Sequence, residues 1–461
     1  MSTSTPTLTR TLKLPSLVLF GLAYLTPLIV LGIFGVIASE TGGASASAYL
    51  VALIAMLFTA HSYGRMASAY PVAGSAYTYV RRTIDSRIGF LVGWAILLDY
   101  LFLPMVIWLI GGSYLQAQFP SVPMPVWIVA FIAITTVLNI VGIKVADRTN
   151  LVLMTFQILV IAFFVALSIA QVVRDTGAAG IVSASPFVGV DASFTAIAGG
   201  AAIAAYSFLG FDAVTTLTEE TIEPRKTVPK AILLVALIGG GIFVLVSYVT
   251  QLVHPGGTFD NSDTAAFEIA TTIGGNIFGA VFLAALVIAQ FTSGLAAQAS
   301  GSRLLFAMGR DGVLPKRFFG RIHPRFQTPV LSILAIAVVG LIAIVMDVST
   351  STSFINFGAF VAFVMVNISV IVFWVKERRA GRRRNPLGYV VAPVIGALVI
   401  VYLLTQLDVQ AVILGSSWLV VGIIVLAFIT RGFRKLPPEL AVDHAEDGTA
   451  EAPTVGARAA E

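Results

Sequence analysis

The chain has 461 residues, of which 57% are hydrophobic and only 11% charged, and its mean hydropathy is +0.94. So few charges cannot cover a water-exposed surface, which excludes the soluble domain classes. With no cysteine, four scattered histidines (His61, His254, His323, His444) and no G-x-x-x-x-G-K-[ST] loop, the sequence also excludes disulfides, thiol chemistry, a histidine metal cluster and P-loop ATP hydrolysis. No cofactor and no nucleic-acid partner is expected, and the buried polar residues are too dispersed to form a nucleophile and base, so the chain reads as no enzyme. Active transport would have to draw on an ion gradient.

Apolar runs of about 20 residues, the length that crosses a hydrocarbon core of about 30 Å, recur along the chain. They fall near 15–39, 45–68, 88–117, 125–142, 149–173, 194–217, 229–253, 271–305, 328–346, 352–374, 386–406 and 411–430. The two-residue alternation of an outer-membrane barrel is missing, so the backbone must satisfy itself within helices. The expected fold is an all-α polytopic protein with twelve transmembrane helices in the lipid bilayer. Arg10 and Lys13 precede a first run that lacks a cleavage site, so that run reads as a retained helix. Of the 28 Lys and Arg residues, 27 fall in the tails and alternate loops on one side, which marks that side and both termini as cytoplasmic. The opposite loops hold Glu40, Asp175, Asp191, Asp260, Asp263, Glu268, Asp347 and Asp408 against Arg174 alone. Such a face attracts cations, although exposed loops also need charge for solubility.

Two helices should be broken. Span one carries Pro27 at mid-membrane within Tyr24-Leu25-Thr26-Pro27, where proline removes a hydrogen bond and clashes one turn back. Span six reads Tyr206-Ser207-Phe208-Leu209-Gly210-Phe211-Asp212, with a glycine beside an ionisable residue. Either feature alone is an ordinary kink. At the first and sixth positions together they match a five-plus-five inverted repeat, whose interrupted helices expose backbone carbonyls and half-helix ends around a midplane site.

Asp99 in span three and Asp212 in span six are buried acids with no Lys or Arg in any span core. A carboxylate at that depth costs about 2.5–3.5 kcal/mol on the lenient insertion scale, so each faces a polar cavity or a partner. The partner is a cationic substrate, a proton or free backbone amides; the structural alternatives are a neutral, hydrogen-bonded Asp99 and an Asp212 held by amides of the second half-helix. Glu219 and Glu220, close to Arg225 and Lys226 in sequence, are either solvated interfacial residues or a route for proton exit. The aromatic residues Tyr24, Trp94, Tyr100, Tyr206 and Phe208 either pack or stack against an alkylammonium ion, and Tyr206, just ahead of the break, is the preferred gate.

At GLAYLTP (21–27), GSAYTY (74–79), LLDYLFLPM (97–105), SFLGFDAVTTLTEET (207–221), SRLLFAMGRDGVLP (302–315) and INFGAFVAF (355–363) the sequence resembles the amino acid, polyamine and organocation transporter superfamily, and within it the bacterial putrescine importers. The resemblance covers about Lys13 to Lys435. It implies a LeuT-like core of ten helices over 14–374, with inverted repeats at about 14–173 and 194–374, between a cytoplasmic N-terminal tail (1–13) and two accessory helices with a preceding basic loop (375–430). A cytoplasmic tail follows (431–461), Pro-, Ala-, Glu- and Asp-rich from 436 and expected to be disordered. It also implies proton-coupled import of putrescine or a related diamine across the bacterial inner membrane. Tyr206 falls where relatives place an aromatic gate, and Asp212 on the acid that follows their glycine.

Two departures bear on the substrate. Relatives that carry amino acids usually have a Gly-Ser-Gly-like stretch at the first break, whose amides hold the α-carboxylate; here Leu25-Thr26-Pro27 stands there, and proline has no N–H. Many sodium-independent relatives carry a lysine on span five, where this chain has Gln157. The expected substrate site is therefore Tyr24, Leu25, Thr26, Asp99, Tyr100, Tyr206, Phe208 and Gly210, with Asp99 as principal anchor. Proton coupling is assigned to Asp212, Glu219 and Glu220. The alternative function is an amino acid permease or exchanger of the same fold.

Overall fold

The computed structural model describes residues 10–72, 75–142, 147–190, 192–310 and 312–437, with the side chains of 147–150 left out. Lys144, Asp191, His444, Arg458, the side chain of Arg148 and the acidic tail beyond Pro437 lie outside these residues. Eleven helices are long and apolar enough to cross a membrane: Leu14–Gly32, Ser45–Ala69, Ser86–Gln118, Met124–Val141, Leu151–Thr176, Phe194–Glu220, Pro224–Val253, Ser262–Arg310, Val348–Arg379, Leu387–Thr405 and Val409–Ile429. A shorter apolar segment, Val330–Ile344, takes the ninth place. Its last turn is a 3₁₀ helix, Leu341–Ile344, which rises further per residue than an α-helix and stretches the segment to about 24 Å. Among the described residues, β structure is limited to one isolated bridge between Leu12 and Thr221.

Both expected breaks are present. Span one is helical over Leu14–Leu25, after which Thr26 adopts a left-handed conformation (φ 52°, ψ 78°) and the helix resumes at Ile29. Pro27 supplies the cause, since it can neither donate to the preceding turn nor fit beneath it. Span six is α-helical over Phe194–Ala204 and tightens to 3₁₀ over Ala205–Phe208. Leu209 is then extended (φ −58°, ψ 128°) and Gly210 left-handed (φ 103°), before a 3₁₀ segment from Phe211 to Glu220. Span eight runs further than its apolar pattern indicated, with a non-helical Gly275 inside it.

Span six is the centre of the bundle: 78% of its most apolar stretch is buried, against 17% for span twelve, which faces lipid. Small residues allow the close approach that membrane helices use in place of a hydrophobic driving force. Gly301 of span eight sits against the backbone of Tyr100, and Gly358 of span ten against that of Ala95. Away from the basic loops, Tyr114 Oη donates to the Leu31 carbonyl (2.8 Å) and Asn356 Nδ2 to the Ala202 carbonyl (2.8 Å), closing spans three and ten onto the second half of span one and the first half of span six. At the other end the Thr11 and Leu12 amides donate to the Glu220 carbonyl (2.9 Å each) and the Ile222 amide to the Leu12 carbonyl (3.0 Å). The start of span one and the end of span six are thereby tied together.

Gly210 carries two constraints. Its φ is one that side chains rarely adopt, and a Cβ there would run into the ring of Tyr24. Gly210→Ala is therefore expected to destabilise the protein by about 1–3 kcal/mol, read as a lower thermal unfolding midpoint in detergent; an unchanged midpoint would contradict this account of the break.

Candidate functional site

The breaks in spans one and six, with spans three and eight, enclose a cavity of about 390 Å³. Tyr24, Trp94, Asp99, Tyr100, Gly210, Asp212 and Ser300 line it, and it continues along Thr216, Met308 and Arg310 toward the basic-loop end. A second cavity of about 310 Å³ lies on the other side of Tyr24, among Leu25, Thr26, Gln157, Tyr206, Gln290 and Ser293. Tyr24 and Ser300 face both spaces, and the Tyr24 ring packed over Gly210 forms part of the wall between them.

The two acids differ in how they are held. Asp212 Oδ2 accepts a hydrogen bond from Ser75 Oγ at 2.9 Å. Ser75 begins the short helix Ser75–Thr83 with a left-handed backbone (φ 52°), a strained conformation that aims its hydroxyl at the acid. The Tyr79 hydroxyl is buried in the same neighbourhood without a hydrogen-bond partner, and the buried Tyr63 hydroxyl lies beside Ser75 and Asp212. Asp99, by contrast, has a buried Oδ1 with no hydrogen-bond partner. Neither carboxylate makes an ion pair among the described residues, and the two are close enough to interact electrostatically. Arg310, on the last turn of span eight, is the cation among the described lining residues.

The expected site residues are therefore divided. Tyr24, Asp99, Tyr100, Gly210 and Asp212 share the first cavity, while Leu25, Thr26 and Tyr206 join Tyr24 in the second. Phe208 appears in the lining of neither; its ring is fully buried and packs edge-on against Phe243 of span seven at 5.2 Å. Glu219 is exposed and Glu220 half-buried, and neither lines a cavity or forms an ion pair among the described residues. Lys226 pairs instead with Glu223 at 3.5 Å, in solvent. His61 Nε2 lies 2.9 Å from the Gly388 carbonyl, a contact that joins spans two and eleven.

Ser75 was not legible as a site residue, because only the chain's return between spans two and three brings it beneath span six. Gln157, picked out at the position of the relatives' lysine, lines the second cavity with its buried Oε1 unpartnered. No group of three or more His, Cys, Asp or Glu side chains placed to hold a metal ion occurs among the described residues.

The sequence that builds this arrangement has relatives among known proteins. The low-affinity putrescine importer PlaP of Escherichia coli K12 is 40% identical over 440 residues, covering 95% of this chain and 97% of its own. The branched-chain amino acid permease BcaP of Bacillus subtilis is 26% identical over 93% of this chain and 95% of its own length. Mouse cationic amino acid transporter 4 is 28% identical over 73% of this chain and 55% of its own. The amino acid permease family model matches residues 16–434. With its two interrupted helices at matching places and twelve spans, the chain is a multi-pass membrane protein that belongs to the amino acid permease family and has its LeuT-like, five-plus-five inverted-repeat fold.

Proposed function

We propose that this protein imports putrescine or a similar small diamine across the bacterial cytoplasmic membrane by proton-coupled alternating access. The excess of basic residues in one set of loops supports a cytoplasmic location for both termini, and the cavity extends toward that side along Thr216, Met308 and Arg310. The observation that carries the reading is Asp99 Oδ1, buried and unpartnered in the wall of a cavity. An unpaired carboxylate at that depth is costly, and an incoming ammonium removes the cost through a charge-assisted hydrogen bond.

In this reading Asp99 takes one ammonium, and Asp212 or the carbonyls left free at the breaks take the other. The methylene chain lies against Tyr24 and Tyr100, and Tyr206, buried beside the break in span six, gates the outer approach from the second cavity. Asp212 is the proton carrier, charged when the cavity floods from the cytoplasm and neutral when it is sealed. Glu219 and Glu220 stand beyond the cavity, where a released proton meets solvent. The 40% identity to PlaP supports the choice of diamine.

The alternative, an amino acid permease, has BcaP in its favour. Backbone chemistry at the first break weighs against it. The Thr26 amide is already bonded to the Ala23 carbonyl at 3.3 Å and Pro27 has no N–H, so two of the donors that could hold an α-carboxylate there are unavailable. Radiolabelled putrescine should enter proteoliposomes under an imposed proton gradient and not under a sodium gradient. Displacement of bound ligand by alanine but not by putrescine would overturn the assignment.

Removing the charge of the anchor should be severe. Hydrogen bonds to charged groups are worth about 1.5–3 kcal/mol, so Asp99→Asn should lower the putrescine uptake kcat/KM by about 10- to 150-fold at equal membrane insertion. Near-normal uptake would remove Asp99 from the site. Asp212→Asn should instead weaken the stimulation of uptake by an acidic exterior more than it weakens equilibrium putrescine binding. Unchanged pH dependence would place proton coupling elsewhere.

A further inference from the structure

We propose that Trp418, on span twelve and outside the ten helices that enclose the cavity, is a positioning residue for the diamine site, because it fixes the indole of Trp94 that forms one of the cavity walls. Trp94 stands on span three five residues before Asp99, and both line the same cavity. Trp94 Nε1 donates to the Trp418 carbonyl at 2.9 Å and Trp418 Nε1 donates to the Trp94 carbonyl at 2.8 Å. The two rings lie stacked, with centroids 5.1 Å apart and planes inclined by 22°.

This reciprocal pair holds the wall more firmly than packing alone. A backbone carbonyl has two lone pairs, so each tryptophan carbonyl can serve its own helix and still receive the opposite indole. In hydrocarbon an indole N–H has no water to turn to, so rotating either ring away strands its own donor and breaks the stack between the two rings. The neighbours remove the remaining freedom. Phe90, itself in the cavity wall, continues the stack on Trp94 (6.2 Å, 20°), and Phe102 meets Trp418 edge-on (6.2 Å, 89°). Gly422, one turn after Trp418, lies so close to the Trp94 ring that any side chain there would press the indole toward the cavity.

The position of the Trp94 wall sets the room beside Asp99, and so the chain length of diamine that fits. One methylene in an apolar pocket commonly changes kcat/KM by about tenfold or more, which makes chain-length preference the sensitive readout. Span twelve thereby takes part in selection while making no contact with substrate.

The inference rests on the cavity being the diamine site, and its test uses the full-length protein in proteoliposomes with radiolabelled putrescine and with the three- and five-carbon diamines as competitors. Trp418→Ala is expected to shift the ratio of KM values for the four- and five-carbon diamines by about three- to tenfold, up to the discrimination one methylene provides. Trp418→Phe, which keeps a ring and loses the N–H, should lie between Trp418→Ala and the unmodified protein. Gly422→Ala should alter the same ratio from the other direction. Because the rings of Trp94 and Trp418 stack on one another, Trp94→Ala and Trp418→Ala each remove that shared contact, so the double variant should lose much less than the sum of the single losses. A uniform fall in maximal rate with unchanged KM ratios, or strictly additive effects, would overturn the positioning role and leave only helix packing. Normal uptake by Asp99→Asn would instead sink the reading of the cavity, so the two failures are distinguishable.

Discussion

A carboxylate held inside the bilayer without a cation is the constraint on which the rest of this molecule depends. Asp99 lies deep in span three with an unpartnered oxygen, and Asp212 faces the same space from span six. Two negative charges so placed repel each other and lack water, so the fold must supply donors, protons or a guest. It supplies donors to one acid only. Ser75, in a strained backbone conformation, serves Asp212, while Asp99, which also lines the cavity, keeps a buried oxygen without a partner. That asymmetry distinguishes two chemically similar groups, and the proposed function assigns them different parts on that basis.

The broken helices make such a site possible. A continuous helix through the midplane would leave no backbone free and little room, whereas the turns at Thr26 and Gly210 open space where polar backbone is otherwise forbidden. Tyr24 packs over Gly210, so the two breaks are in contact and one ring separates the cavity around the acids from the neutral one beyond. On the basic-loop side, hydrogen bonds between Leu12 and the end of span six join one pair of half-helices. The other pair is held by Tyr114 and Asn356, each bonded to a carbonyl of a broken helix.

Much of this was written in the sequence, for identifiable reasons. Pro27 and Gly210 act on their own backbone, and local chemistry of that kind is legible without coordinates. Hydropathy likewise marks the spans, although the 3₁₀ end of Val330–Ile344 and the kink at Gly275 blur two of their boundaries. Side-chain direction was not legible. Phe208 is two residues from Gly210, yet the tightened 3₁₀ turn points it at Phe243 and away from both cavities. Glu219 and Glu220 follow the same span out to solvent, and Ser75 reaches Asp212 across 137 positions of chain. The Trp94 and Trp418 pair spans 324 positions and follows no periodic pattern.

The account is tested most directly by a cryo-EM structure of the full-length protein saturated with putrescine. It predicts density in the larger cavity with one ammonium about 2.7–2.9 Å from Asp99 Oδ1, the distance of a charge-assisted hydrogen bond. Putrescine bound elsewhere, with Asp99 still lacking a partner, would contradict it.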